Sequence, residues 1–200
     1  MSYSAFSSGS TDWLRASLNG KEAVMFDAKV EKLLNEQVIA EMYSANLYLS
    51  MSAWLDAHDY SGYSHWFYVQ YKEEMDHALI IYNYIRNAGG VVKLGAIDAP
   101  PTDFEGIRDI LAESLAHEQL VTSLIYAINA AAIDVHDYKT VQFLDWFVKE
   151  QVEEEDNAST NLGRFDNFGS DPKGLLSLDQ EMAVRVYAQT AQLALYEGGE

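Results

Sequence analysis

The sequence predicts an all-α fold: a four-helix bundle with one long crossover between helices two and three, and a short fifth helix at the C-terminus. Three observations point there. Four long segments carry apolar stripes in seven-residue steps, which return to one face of an α-helix with a drift of only about 20°. Short polar turns join the first segment to the second and the third to the fourth, whereas a longer stretch bounded by Gly and Pro separates the two pairs. The chain of 200 residues is 48% hydrophobic, with four Trp, 13 Tyr and eight Phe, enough for a sizeable core without disulfides and too aromatic for disorder.

Residues 1–26 read as an appended arm, rich in Ser and Gly through Ser10 and able to form a short capped helix over residues 11–20. Residues 27–200 read as one domain. The first helix is expected over 27–57, with Leu34, Glu41, Tyr48 and Leu55 on its stripe, and a turn at His58-Asp59 leads to the second. That helix, over 63–87, carries Phe67, Glu74, Ile81 and Ile85. Gly89-Gly90 stops it, and Pro100-Pro101 precedes the next. A linker of about 13 residues reaches roughly 43 Å, as far as a 27-residue helix of roughly 40 Å, so helices two and three are expected to run parallel. The third helix, over 103–133, carries Leu111, Glu118, Ile125 and Ala132, and turns at His136-Asp137. The fourth, over 137–165, has Leu144, Gln151, Ala158 and Phe165 on one seam, with Phe147 and Glu154 beside it. Beyond a loop containing Asp171-Pro172-Lys173-Gly174, a fifth helix is expected to start at Ser177, with Gln180 completing a capping box, and to run towards Tyr196.

Composition excludes several functions. With no cysteine, disulfide scaffolds, thiolate zinc sites, iron–sulfur clusters and cysteine nucleophiles are out. A net charge of −18 repels phosphate backbones, so no nucleic-acid partner is expected. The most apolar stretch, residues 120–133, is short and interrupted by Thr122, Ser123 and Asn129, which suits a buried helix rather than a membrane span. The N-terminus lacks the basic start and apolar run of a secretory signal, making a cytoplasmic location the expectation.

A faint internal duplication places the chemistry. The turns read Asp56-Ala57-His58-Asp59-Tyr60 and Asp134-Val135-His136-Asp137-Tyr138, 78 residues apart. Adding 77 to Glu41, Glu74 and His77 gives Glu118, Gln151 and Glu154. Each half thus supplies one helix with a central Glu and another with polar groups at i and i+3, which share a face. A single Glu is ordinarily solvated, a lone Glu-x-x-His is a weak motif, and an isolated His77 is more often packed or exposed than a ligand. Taken together, the six positions argue otherwise. Several carboxylates converging in a low-dielectric core repel one another strongly, and two divalent cations remove most of that cost. Oxygen-rich ligation with one nitrogen suits iron or manganese. Glu from two helices with Glu-x-x-His from the others is the known template of the ferritin-like di-iron bundles. Here Glu74-Met75-Asp76-His77 is kept, but the fourth helix reads Gln151-Val152-Glu153-Glu154, so nitrogen ligation falls on one side only.

With these residues in view, the chain resembles the bacterial-type non-haem ferritins from about Val30 to Leu178. The resemblance rests on Leu33-Leu34-Asn35-Glu36-Gln37 with Glu41-Met42-Tyr43-Ser44, Met51-Ser52-Ala53-Trp54, Glu73-Glu74-Met75-Asp76-His77, and Phe143-Leu144-Asp145-Trp146 leading into Glu150-Gln151-Val152-Glu153-Glu154-Glu155. It implies iron storage by ferroxidase chemistry. Fe(II) is oxidised with dioxygen or hydrogen peroxide, and the ferric product is kept as mineral inside a homo-oligomeric shell of 24 subunits. Carried over by motif, Glu41, Glu74 and His77 hold one iron, and Glu118 and Glu154 hold a second, with Glu74 bridging. Gln151 is a weak ligand or a neighbour of the ligands. Tyr48 stands beside the centre as an electron or hydrogen-bond donor, or is simply a core tyrosine. Glu73, Glu150 and Glu153, sharing Glu154, match a third iron site; the plain alternative is a solvated acidic face. Met75 corresponds to the haem-ligating methionine of bacterioferritins, but the missing second Glu-x-x-His makes haem unfavoured. His58, His65, His117 and His136 fall off the central positions and read as turn or surface residues.

The alternatives are a di-iron oxygenase or peroxidase without mineral storage, a DNA-protecting mini-ferritin, and a metal-free structural bundle. Oxygenases commonly carry two Glu-x-x-His motifs and extra substrate domains, both missing here. The negative charge opposes the DNA-binding reading.

Overall fold

A computed structural model describes residues 26–197, so the expected arm and its short helix over residues 11–20 lie outside the described residues. Those described form α1 (Ala28–Ala57), α2 (Ser61–Asn87), α3 (Ile107–Asp134), α4 (Tyr138–Phe168), α5 (Pro172–Met182) and α6 (Ala191–Glu197), with no strand among them.

Local chemistry sets the helix ends. The Asp27 carboxylate accepts from the amides of Lys29 and Val30 at 2.9 and 3.1 Å and starts α1. Helices α1, α2 and α3 each end in a residue with positive φ: Asp59 at 64°, Gly89 at 86° and His136 at 58°. In each case the following amide reaches back to a carbonyl five residues earlier (Tyr60 to Leu55, Gly90 to Ile85, Asp137 to Ala132), closing the turn at 2.8–3.0 Å. Asp and His tolerate the left-handed region better than most side chains. The two turns that share a five-residue pattern are thereby placed in different registers. Structurally, Asp59 corresponds to His136 and Tyr60 to Asp137, an offset of 77, not the 78 of the turn match. The 77-residue relation between the polar positions is the one the backbone follows.

The crossover is visible in its anchors. Near its start, Asn35 of α1 donates to the Val91 carbonyl at 3.1 Å, and the Lys93 amide donates to Asn35 at 2.5 Å. Near its end, Ser50 donates to the Pro101 carbonyl at 2.5 Å, and Phe104 packs edge-on to Trp54. The strand of chain therefore follows α1 from Glu31 to Trp54, roughly 35 Å of helix, as the linker arithmetic requires. Helix α3 starts where α2 starts, and the two run parallel.

The core falls into two parts. One gathers Val30, Leu34 and Val38 with Ile81, Ile85, Ile125, Phe143 and Phe147. The other gathers Leu47, Met51 and Leu55 with Tyr63, Phe67, Ile110, Leu111 and Met182. A buried polar layer lies between them.

The C-terminal region departs from the expected single helix over 177–196. Asp171 is the cap of α5, its carboxylate accepting from the Gly174 amide at 2.8 Å, and Pro172 occupies the first turn, where its missing N–H costs nothing. The segment read as a loop is therefore the helix start. Helix α5 stops at Met182, and the chain runs unwound until α6 begins at Ala191. Side chains of Arg185 and Tyr187 turn down onto α2 while Val184 and Val186 point outward, an alternation no helix can supply.

Candidate metal centre

Mid-bundle turns of all four long helices supply the polar layer: Glu41 from α1, Glu74 and His77 from α2, Glu118 from α3, and Gln151 and Glu154 from α4. These six side chains are between 1% and 5% exposed. Glu41, Glu74 and His77 each offer a ligand atom within 4.8 Å of the others. His77 Nδ1 lies 3.3 Å from Glu74 Oε2, and its ring is wedged edge-on against Trp146 and Phe147 at 5.5 and 5.9 Å. Gln37, one turn before Glu41, donates to Glu41 Oε1 at 2.9 Å. Glu41 Oε2 is buried without a geometrically formed hydrogen bond, and the neighbouring Glu74 carboxyl is the group it interacts with most directly.

Glu118 is served differently. Tyr48 donates its hydroxyl to Glu118 Oε1, and Gln151 Nε2 lies 3.2 Å from Oε2. Glu154 accepts from Gln70 at 2.6 Å. Tyr48 packs against Phe67 and is fully buried, so it reaches the centre as a donor.

The charges confirm a crowded layer. Burial first, then the Glu74 charge, pushes Glu41 up to about 8. Burial and then Glu118 push Glu154 up to about 7. Glu74 is driven well above the usual carboxylate range by burial, followed by Glu118 and Glu154. Glu118 is raised by burial against the pull of the Tyr48 and Gln151 hydrogen bonds. A pocket this rich in buried carboxyls cannot keep them all ionised unaided and must take up protons or cations.

The remaining candidates stand to one side. Glu73 and Glu150 are half-buried and Glu153 is exposed. They are not gathered within 4.8 Å in the way Glu41, Glu74 and His77 are. Glu73 is paired with the Arg185 guanidinium. His58 and His136 do lie exposed at the turns, and His65 is exposed on α2. His117 is a correction to the surface reading. It is half-buried, hydrogen-bonded through Nε2 to Ser44 at 2.8 Å, packed against Tyr43 and Tyr48, and held below the usual range, at about 4, by burial.

The sequence motifs do not single out Gln37, Gln70 or Arg185, which the structure places against Glu41, Glu154 and Glu73. A signal for the two glutamines existed: each stands four residues before a central Glu of its helix, hence one turn away on the same face. Arg185 had none, because its partners are 112 and 115 residues away.

Fold and layer together define a four-helix bundle with a buried carboxylate–histidine cluster able to hold a metal ion, and comparison with known proteins is specific. A family profile described as a ferritin-like domain matches residues 31–168. A probable bacterial non-heme ferritin-like protein of Haemophilus influenzae is 35% identical over 158 residues, 79% of this chain and 96% of the relative. A bacterial non-heme ferritin of Staphylococcus aureus is 35% identical over 163 residues, 82% of this chain and 98% of the relative. An open-pore ferritin of Archaeoglobus fulgidus superposes with a TM-score of 0.79 at 37% identity, covering 80% of this chain and 98% of that one. A closed form engineered from the same ferritin gives 0.80 at 36% identity. This chain belongs to the ferritin family, and iron binding and storage are its general function. Among the described residues, no helix is long and apolar enough to cross a membrane.

Proposed function

We propose that the chain oxidises Fe(II) at the buried centre and passes the ferric product to a mineral held inside a shell of its own copies. The observation that carries this reading is the convergence of Glu41, Glu74 and His77 within 4.8 Å, fully buried, with one Glu41 oxygen lacking a formed hydrogen bond. In this reading those three hold one Fe(II), while Glu118 and Glu154 hold another. Glu74 would bridge the two, a role supported by its carboxylate lying beside His77 and within the field of Glu118 and Glu154. Two Fe(II) ions side by side supply the two electrons that take dioxygen to hydrogen peroxide, or peroxide to water. Gln151, hydrogen-bonded to Glu118, is a weak ligand or holds the oxidant, and Tyr48 stands ready to give a hydrogen or an electron.

The two positions are unequal. The one with imidazole binds tightly, and the one built from oxygen donors exchanges its iron, as onward transfer requires. A third cation at Glu73, Glu150 and Glu153 has first to displace Arg185 from Glu73. The exposed apolar side chains Leu120, Leu124, Tyr126 and Tyr138 support burial against further copies. We take the shell to be the 24-subunit assembly, in the cytoplasm.

Loading the purified protein with Fe(II) in air tests this. Storage takes up iron far beyond two per chain in a soluble, shell-sized particle. Uptake that stops at two per chain would mark an oxygenase or peroxidase instead.

A further inference from the structure

The segment between α5 and α6 lies along α2 as a strap. Tyr187 donates to Asp76 Oδ2 at 2.8 Å and stands 5.2 Å from Lys72 Nζ, and Leu193 closes the far end in the core. At its near end Arg185 is held from several sides. Its two terminal nitrogens donate separately, Nη1 to Gln70 Oε1 and Nη2 to Glu73 Oε2. The guanidinium lies 4.4 Å from the centroid of Trp66, and the Arg185 carbonyl is hydrogen-bonded to His65 at 2.8 Å.

The consequence falls on Gln70, which is 1% exposed. A carboxamide has one acceptor end and one donor end, and guanidinium only donates. With Oε1 taken by Arg185, the NH2 end of Gln70 is turned to Glu154, donating to Oε2 at 2.6 Å. The flipped amide would set NH2 against guanidinium and oxygen against carboxylate, so Arg185 and Glu154 select the same orientation, and Arg185 anchors the end of Gln70 that faces away from the centre. Glu154 is thereby held through Oε2.

We propose that Arg185 is a positioning residue for the second cation position: acting from the C-terminal strap through Gln70, it orients Glu154. The proposal rests on the paired-centre reading and adds a control that lies outside the bundle.

Anaerobic titration with Co(II), followed by its visible absorption, reads the two positions separately. His77→Ala identifies the step that belongs to Glu41, Glu74 and His77. In a Glu73→Gln background, which keeps the third position from opening when Arg185 is removed, Arg185→Gln is expected to weaken the other step by about tenfold, the lower end of what losing a partner of a ligand costs, and to leave the His77 step unchanged. Arg185→Lys keeps the charge but not the two-armed contact and is expected to stay weakened. Gln70→Leu is expected to match Arg185→Gln, and combining the two to add nothing further, because they act on one element. An Arg185→Gln titration like that of its Glu73→Gln parent, equal weakening of both steps, or additive losses would each overturn the role of Arg185. A wild-type chain with no Co(II) steps overturns the paired centre itself, and this proposal with it.

Discussion

At the scale of single residues, the carboxylates of the centre differ in the donors they meet. Glu41 Oε2 has neither a formed hydrogen bond nor solvent, whereas Glu118 is met by a tyrosine and a glutamine. The two halves of the site therefore differ in their hydrogen bonding: Glu118 has neutral donors on both oxygens, whereas Glu41 is met on one. Replacing Glu74 or His77 with Ala is expected to slow Fe(II) oxidation at low loading by about tenfold or more, the scale of losing a metal ligand. Absorbance of the ferric product measures it, and wild-type rates in both variants would contradict the assignment. Replacing Glu150 or Glu153 with Gln is expected to leave the first turnover alone and change the oxygen consumed per iron in later ones. If both are silent by oxygen electrode, a third cation site should be abandoned.

At the scale of elements, the start of α2 depends on α5. Tyr60 gives α2 no side-chain cap, and the amides of Gly62 and Tyr63 donate instead to Asp179 at 2.9 and 3.0 Å. Gly62 is needed for that approach, since a Cβ there would lie 1.7 Å from the Asp179 carbonyl oxygen. Asp179→Ala is expected to cost about 1–2 kcal/mol, the value of a lost cap. Gly62→Ala is expected to cost more, because backbone must move. Thermal melting of the two variants, with Fe(II) oxidation at saturating iron retained in Asp179→Ala, checks both the order and the separation of cap from centre.

At the scale of the whole molecule, the polar layer interrupts the core and makes stability depend on pH. Glu41 and Glu154, near 4.5 when unfolded, are raised to about 8 and about 7 in the folded chain. Between those values the folded protein holds protons that the unfolded chain has released, so folding weakens as pH rises. In metal-free protein the contribution of these groups is expected to be full below about pH 4.5 and to be lost progressively up to about pH 8. Bound Fe(II) or Co(II) replaces the protons and should flatten the slope, with protons released on binding. Melting temperatures across pH 4.5–8, with and without Co(II), decide it; a metal-free profile that rises with pH over that range would refute it.

Much of this was legible because helices report their faces locally. Seven-residue steps placed Glu41, Glu74, Glu118 and Gln151 on inward stripes, and the 77-residue relation among the polar positions matched the backbone repeat. The turns were found but their register was not, since whether Asp59 or His58 takes the left-handed position is decided by which amide reaches back to Leu55. The start of α5 was missed because Asp171-Pro172 reads equally as turn and as cap. By itself, then, the chain determined four helices, their crossover and the layer where carboxylates meet, all set by periodicity and linker length. Only the folded structure decided that Arg185 reaches Gln70 and Glu73, that Asp179 caps α2 and that His117 turns inward. Each of those contacts joins residues far apart in sequence, and no local preference of the chain encodes a distance across the bundle.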